Sequence, residues 1–182
     1  MAAGEARLIV MATALDLEPA TGYAVRKHLL EQGAGEWGGL SVASIYSVLR
    51  TLAGHGWLEE LADPTGVRKD TRAYRSTDAG RDAFQELWRA SVETIDSSRP
   101  LAFHVAITLT ALVTEQRYVA ALSTRLAQLD ERLGAPVPAG LPAQVENAMV
   151  LWRALAEREA AWIRATLDRV GRDAVAFGFA PA

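Results

Sequence analysis

The chain has 182 residues, half of them apolar, with a formal charge of −3 at pH 7 and no cysteine. This length and apolar share are enough to bury a real core, which excludes general disorder and fits one medium domain or a small domain plus an accessory region. The acidic balance excludes a global basic field, so any nucleic-acid surface must be local, and the lack of cysteine excludes disulfides and thiolate metal sites.

Leu8, Ile9, Ala12 and Leu15 recur at helical spacing and predict a first helix of about three turns, broken by Pro19. The stretch Leu8 to Leu15 has the length of a signal-peptide core. Glu5 precedes it, no basic cluster leads it, and Asp16 and Glu18 follow, so a soluble cytoplasmic protein is expected. No run approaches the ~18 apolar residues of a membrane span. Thr21 opens a second helix through Tyr23, Ala24, His28 and Leu29, which stops in Gln32-Gly33-Ala34-Gly35. The Gly-rich segment Gly35 to Gly39 follows no strand and lacks the Lys-Ser/Thr ending of a phosphate cradle; it reads as a loop that lets the next helix dock.

Ser41 is a suitable N-cap, and Ile45, Val48, Leu49 and Leu52 then follow at i, i+3, i+4 and i+7. That face is core. Ala43, Tyr46, Ser47 and Arg50 lie on another face, small or polar with a single cation, that can enter a groove. After Gly54-His55-Gly56, Trp57 to Ala62 and Thr71 to Ser76 predict a β-hairpin around Asp63-Pro64-Thr65-Gly66. Its tip carries Arg68, Lys69 and Arg72, with Arg75 just beyond and only Asp70 interrupting, as a basic wing against phosphates would. Thr77 starts a fourth helix with Asp78 in its first turn and Phe84, Leu87 and Trp88 on its apolar face. Three helices, the third feeding a basic hairpin, are the arrangement of a winged helix-turn-helix, whose third helix reads the major groove.

These residues resemble the PadR family of bacterial transcription regulators. Thr21-Gly22-Tyr23 is similar to the family's His-Gly-Tyr opening of the second helix. Ser41-Val42-Ala43-Ser44-Ile45-Tyr46-Ser47-Val48-Leu49-Arg50-Thr51-Leu52 resembles its recognition helix, and Arg72-Ala73-Tyr74-Arg75-Ser76-Thr77-Asp78-Ala79-Gly80 its second wing strand and the Thr-x-x-Gly start of the next helix. Val42, Ala43 and Ser47 stand where the family commonly has Pro, Gly and Pro, while Ala73 and Ser76 replace an aromatic and an aliphatic residue.

In the second half, Pro100 opens an apolar segment, Leu101 to Val113, readable as a helix or a buried stretch, before a cap at Thr114-Glu115. Tyr118, Val119, Leu122, Leu126, Leu129 and Leu133 form a helical stripe ending at Gly134. Three of the seven prolines then make a turn before an uninterrupted helix from Ala143 to Val170, ~40 Å long. Seams of that length are most economically buried against a second copy, and the resemblance implies the same.

The expected fold is mainly α with a small β-hairpin wing: a winged helix-turn-helix domain over residues 1–98 and a helical, coiled-coil-like dimerisation domain over residues 99–182. Candidate DNA contacts are Ser41, Ser44, Tyr46, Ser47 and Arg50, with Tyr23 on the second helix and Arg68, Lys69 and Arg72 on the wing. For each the plain alternative is a solvated charge or helix face, and for Tyr46 packing on the second helix. Leu122, Leu126, Leu129, Met149, Trp152, Ile163 and Leu167 are the expected dimer seam, and Trp88, Trp152 and Trp162 read as core or seam before ligand-stacking. His28, His55 and His104 lack ligand spacing, so no metal or cofactor is expected; His104 reads as a core histidine or as one facing an effector cavity. No nucleophile–base pair or phosphate cradle points to an enzyme. The function expected is a homodimeric, sequence-specific regulator, a repressor at a palindromic DNA operator, with a small-molecule effector as a further partner and no membrane. The alternative is a winged-helix protein-interaction module without specific DNA binding.

Overall fold

The computed structural model describes residues 3–37, 40–62, 72–96, 100–136 and 140–181. Helix α1 (Ala3–Asp16) is the hub of the first half. Leu8 to Ala14 are all buried, and the one polar side chain among them, Thr13, donates to the Ile9 carbonyl at 3.0 Å. A helix apolar on every side belongs in a core. Accordingly α1 touches α2 (Gly22–Glu31), α4 (Val42–Gly54), α5 (Asp78–Glu93) and α6 (Pro100–Ala106).

Capping hydroxyls set the helix starts. Thr21 Oγ1 accepts from the Ala24 amide at 3.1 Å, Ser41 Oγ from the Ser44 amide at 3.1 Å, and Thr77 Oγ1 from the Gly80 amide at 3.0 Å. Between α2 and α4 the Gly-rich segment that suggests a loop contains a single turn of helix, α3 (Ala34–Trp37), entered through Gly33 at φ 68° with Ala34 buried beneath it. The hairpin strands are β2 (Leu58–Ala62) and β3 (Arg72–Ser76), and the wing tip between them lies outside the described residues.

The periodicity does not reveal β1 (Ala20–Thr21), which pairs antiparallel with β3 through Ala20 opposite Tyr74 and Thr21 opposite Ala73. The sheet order is β1-β3-β2. Central β3 is covered on both sides, which explains why the adjacent Ala73 and Tyr74 are both buried. Glu18 ties this sheet to α5. Its carboxylate accepts from the Ser76 amide at 2.7 Å, the Ser76 hydroxyl at 2.5 Å and Arg81 at 2.8 Å. Gly80, in the first turn of α5, is dictated by space: a Cβ there would stand 2.0 Å from the Trp57 carbonyl oxygen.

The segment from Leu101 to Val113 divides into α6 and a 3-10 turn over Thr110–Leu112. α6 buries Ala102, Phe103, Val105 and Ala106 against α1 and α5 and leaves His104 exposed, which corrects the reading of that histidine as a core residue. α7 (Glu115–Gly134) and α8 (Ala143–Arg172) follow, and α8 folds back along α7. Leu122, Leu129 and Ile163 are fully buried where these helices meet, while Leu126 and Leu167 are half-buried. The first three are core residues of a single chain and do not form an outward seam. A seam of one chain and a seam between chains have the same periodicity, so spacing alone does not separate them.

Arg125 on α7 is buried in the same region. Its Nη1 donates to the carbonyls of Val92 and Thr94, each at 2.8 Å, its Nε donates to Glu159 on α8 at 2.5 Å, and its guanidinium lies 3.9 Å from the centre of the Phe103 ring. One cation thus holds the C-terminal end of α5, α6, α7 and α8 together. After a last 3-10 turn (Ala174–Phe177), Phe177 and Phe179 stack on each other and pack beside Tyr118, and the Ala180 amide donates to the Val113 carbonyl at 3.0 Å. Nearly all the buried apolar residues form one continuous cluster from Ala6 to Val170.

Two outcomes follow from these polar anchors. Arg125→Ala leaves Glu159 and two carbonyls unpaired and is expected to destabilise the protein by ~3–5 kcal/mol in denaturant titrations, with Arg125→Lys recovering only part, because an ammonium lacks the planar fork. Burial by itself would raise the Glu18 pKa, but the Ser76 hydroxyl, the Ser76 amide and Arg81 together outweigh it and hold the carboxyl below the usual glutamate range. A depressed folded-state value contributes stability that is complete above the unfolded value of ~4.3 and is lost as pH falls through the folded value. Glu18→Gln is therefore expected to cost ~2 kcal/mol at pH 7 and to converge with the parent protein under acid, read by denaturant midpoints across pH.

Candidate nucleic-acid interface

α4 has two faces. Ile45, Leu49 and Leu52 are completely buried and Val48 is half-buried, whereas Val42, Ala43, Tyr46, Ser47 and Arg50 are exposed. Ser41 is exposed and Ser44 half-buried, and their hydroxyls are engaged with each other and with the first turn of the helix. Tyr46 does two things at once. A Cβ built on Gly22 would lie 2.9 Å from Tyr46 Cε1, so the ring packs on the start of α2, yet it remains 37 % exposed.

Beside it, on the outer face of α2, Tyr23 is 60 % exposed and the Arg26 guanidinium lies 5.7 Å from the centre of its ring. Arg26 Nε is buried without a hydrogen-bond partner. The Gly22–Tyr46 contact thus joins the start of α2, which carries Tyr23 and Arg26, to α4, whose exposed residues include Ser47 and Arg50. The only sequence sign of this arrangement was Gly22 standing before an aromatic residue.

The wing root adjoins the same face. Tyr74 on β3 has its pKa raised, first by burial and then by the Glu60 carboxylate, with Arg72 and Arg50 pulling it down, so the strand residue and the α4 cation are close enough to interact. Arg72 pairs with Glu60 at 2.5 Å and Arg75 with Glu59 at 3.4 Å. This corrects the picture of a wing interrupted only by Asp70. β2 places two glutamates across from the arginines of β3, because Glu59 faces Arg75 in register and Glu60 lies diagonal to Arg72. Such exposed pairs are worth ~0–1 kcal/mol, so a phosphate can displace the carboxylate from Arg72 at small cost. Arg68 and Lys69 lie outside the described residues.

Of the remaining candidates, Met149 on α8 is half-buried and Trp152 is 61 % exposed, with Val150, Leu151 and Leu155 exposed beside it. Trp88 is buried and donates Nε1–H to the Ala106 carbonyl at 2.9 Å, while Trp162 sits edge-on to Phe103 and stays partly exposed. Among the described residues no group of three His, Asp or Glu side chains could hold a metal ion, and no helix is long and apolar enough to cross a membrane.

Three helices with α4 presented outward, a three-stranded sheet with a hairpin wing, and a cation on the outer face of α4 define a winged helix-turn-helix protein. Residues 11–86 match the family model of the transcriptional regulator PadR-like family. Over those residues the chain is similar to a family of transcriptional regulators. A comparison with curated proteins finds no match.

Gly22→Ala is expected to displace the partly exposed Tyr46 ring, and so to change the melting temperature by only a few degrees while weakening DNA binding severalfold. Parallel melting curves and gel-shift titrations check this; a large loss of stability with unchanged binding would contradict it.

Proposed function

We propose that the protein is a homodimeric repressor that places one α4 in each half-site of a palindromic operator. Residues 1–98 would serve as the DNA-binding unit and residues 99–182 as the dimerisation unit. The observation that carries the reading is the pairing of two outward surfaces: the α4 face with Tyr46, Ser47 and Arg50, and the apolar face of α8 with Leu151, Trp152 and Leu155. A contiguous apolar run of this size on a helix of 30 residues, ~45 Å long, suits a partner helix of equal length, and a second copy closed by twofold symmetry supplies one. Met149 and Trp152 belong to that face.

Ser41 and Ser44 build the cap that orients α4, Tyr23 and Arg72 would flank it against phosphates, and Arg68 and Lys69, outside the described residues, would add phosphate contacts. A small effector would act by changing the angle between the two DNA-binding units. The cleft between α5 and α7, of about 330 Å³ and bordered by Gln85, Trp88, Arg89 and Arg117, suits that role because Gln85 Oε1 is buried there without a partner.

The test combines sedimentation with gel shifts on DNA from the protein's own promoter region. The parent chain should sediment as a dimer and shift a fragment containing two half-sites about one helical turn apart. Trp152→Glu with Leu155→Glu should give a folded monomer whose DNA affinity falls about a hundredfold through lost bivalency. A stable dimer that binds no specific DNA at moderate salt would favour a protein-interaction role instead.

A further inference from the structure

The first turns of α4 offer few free hydrogen-bond donors. Ser41 Oγ accepts from the Ser44 amide and donates to the Ser44 hydroxyl at 3.1 Å, and Ser44 Oγ donates in turn to the Ser41 carbonyl at 2.7 Å. A hydroxyl has one proton, so both are spent inside the cap. What stands outward between them is aliphatic. Val42 is 41 % exposed, Ala43 is exposed, and Tyr46 lies one turn on, at i+4 and i+3 from them, so that the three share one patch. Gly22 lets the Tyr46 ring pack on the start of α2, and the ring remains 37 % exposed. The cation of the face, Arg50, is a full turn further along.

An aliphatic surface in the major groove has one base-edge partner that distinguishes a single base, the C5-methyl group of thymine. Resting on the groove reading above, we propose that Val42 and Ala43, backed by Tyr46, read thymine methyl groups, so that one end of each half-site is selected by apolar contact. Arg50, at the other end of the face, remains able to pair with guanine or hold a phosphate.

The experiment uses the full-length chain and duplexes that it selects from a random pool. The selected half-sites should share one or two thymines, and replacing each with uracil, which removes the methyl group alone, should weaken binding about fourfold per methyl. Val42→Ala, a change at an exposed position, should keep the melting temperature and reduce that penalty at one thymine to less than about twofold, as coupled partners do. A pool that yields no shared sequence would overturn the groove reading itself. A shared sequence without thymine, or thymines that uracil replaces without loss, would overturn the methyl reading and leave the groove reading standing. A uracil penalty fully retained in both Val42→Ala and Ala43→Gly would show that another surface reads the methyl, and would overturn the assignment to this patch.

Discussion

The buried guanidinium of Arg125 is the constraint on which the relation between the two halves rests. A charge removed from water is tolerated only when its donors are used, and here they are used across the boundary: Val92 and Thr94 lie at the end of α5, Glu159 lies on α8, and the Phe103 ring of α6 covers the cation. The carbonyls at the end of α5 are those that a helix leaves unpaired, at its negative pole, so a cation there satisfies both hydrogen bonding and the dipole. Any shift of α8 relative to α7 must move Glu159 or Arg125, and α5 is bonded to the latter. α5 in turn carries Arg81 to Glu18 and packs its first turn on Trp57, at the root of the wing.

That chain of contacts places the acidic net charge in perspective. Among the described residues the arginines of the wing root and the start of α5 are each matched by a carboxylate, in Arg72–Glu60, Arg75–Glu59 and Arg81–Glu18. Arg26 and Arg50, on the outer faces of α2 and α4, have no such pairing. A surface with few uncompensated cations depends less on counterion release and more on fit, and an acidic remainder weakens binding to arbitrary DNA. The balance between shape and charge therefore falls toward shape in this chain.

What could be read from the sequence were features whose cause is local. Thr21, Ser41, Thr77 and Thr114 are caps in the structure because a hydroxyl at the start of an apolar-periodic run has one good use. The faces of α4 and α5 follow from periodicity, and the hairpin from alternation and turn residues. What escaped depends on partners distant in sequence. β1 is two residues long and exists because β3 has a free edge there. Glu18 meets Ser76 across 58 residues, and Arg125 meets Glu159 across 34. α1 gave a weak stripe because every side of it is covered. The site was half legible: the outward residues of α4 were, whereas the Gly22–Tyr46 contact and the glutamates opposing the wing arginines require register.

The long last helix, α8, combines two packing environments in one run of sequence. A helix packed against α7 on one side and bare on another carries two apolar stripes, and in sequence they merge into a single run. The structure separates them: Ala160, Ile163 and Val170 are buried against the chain's own core, whereas Val150, Leu151, Trp152 and Leu155 remain in solvent. The buried positions cluster in the C-terminal part of α8 and the bare ones in its N-terminal part. In the dimer proposed above, the section of α8 that meets the second copy is thus displaced along the helix from the section that Arg125 ties to α5 through Glu159. Contact between copies would act on one end of a rigid helix, and the DNA-binding half would feel it at the other.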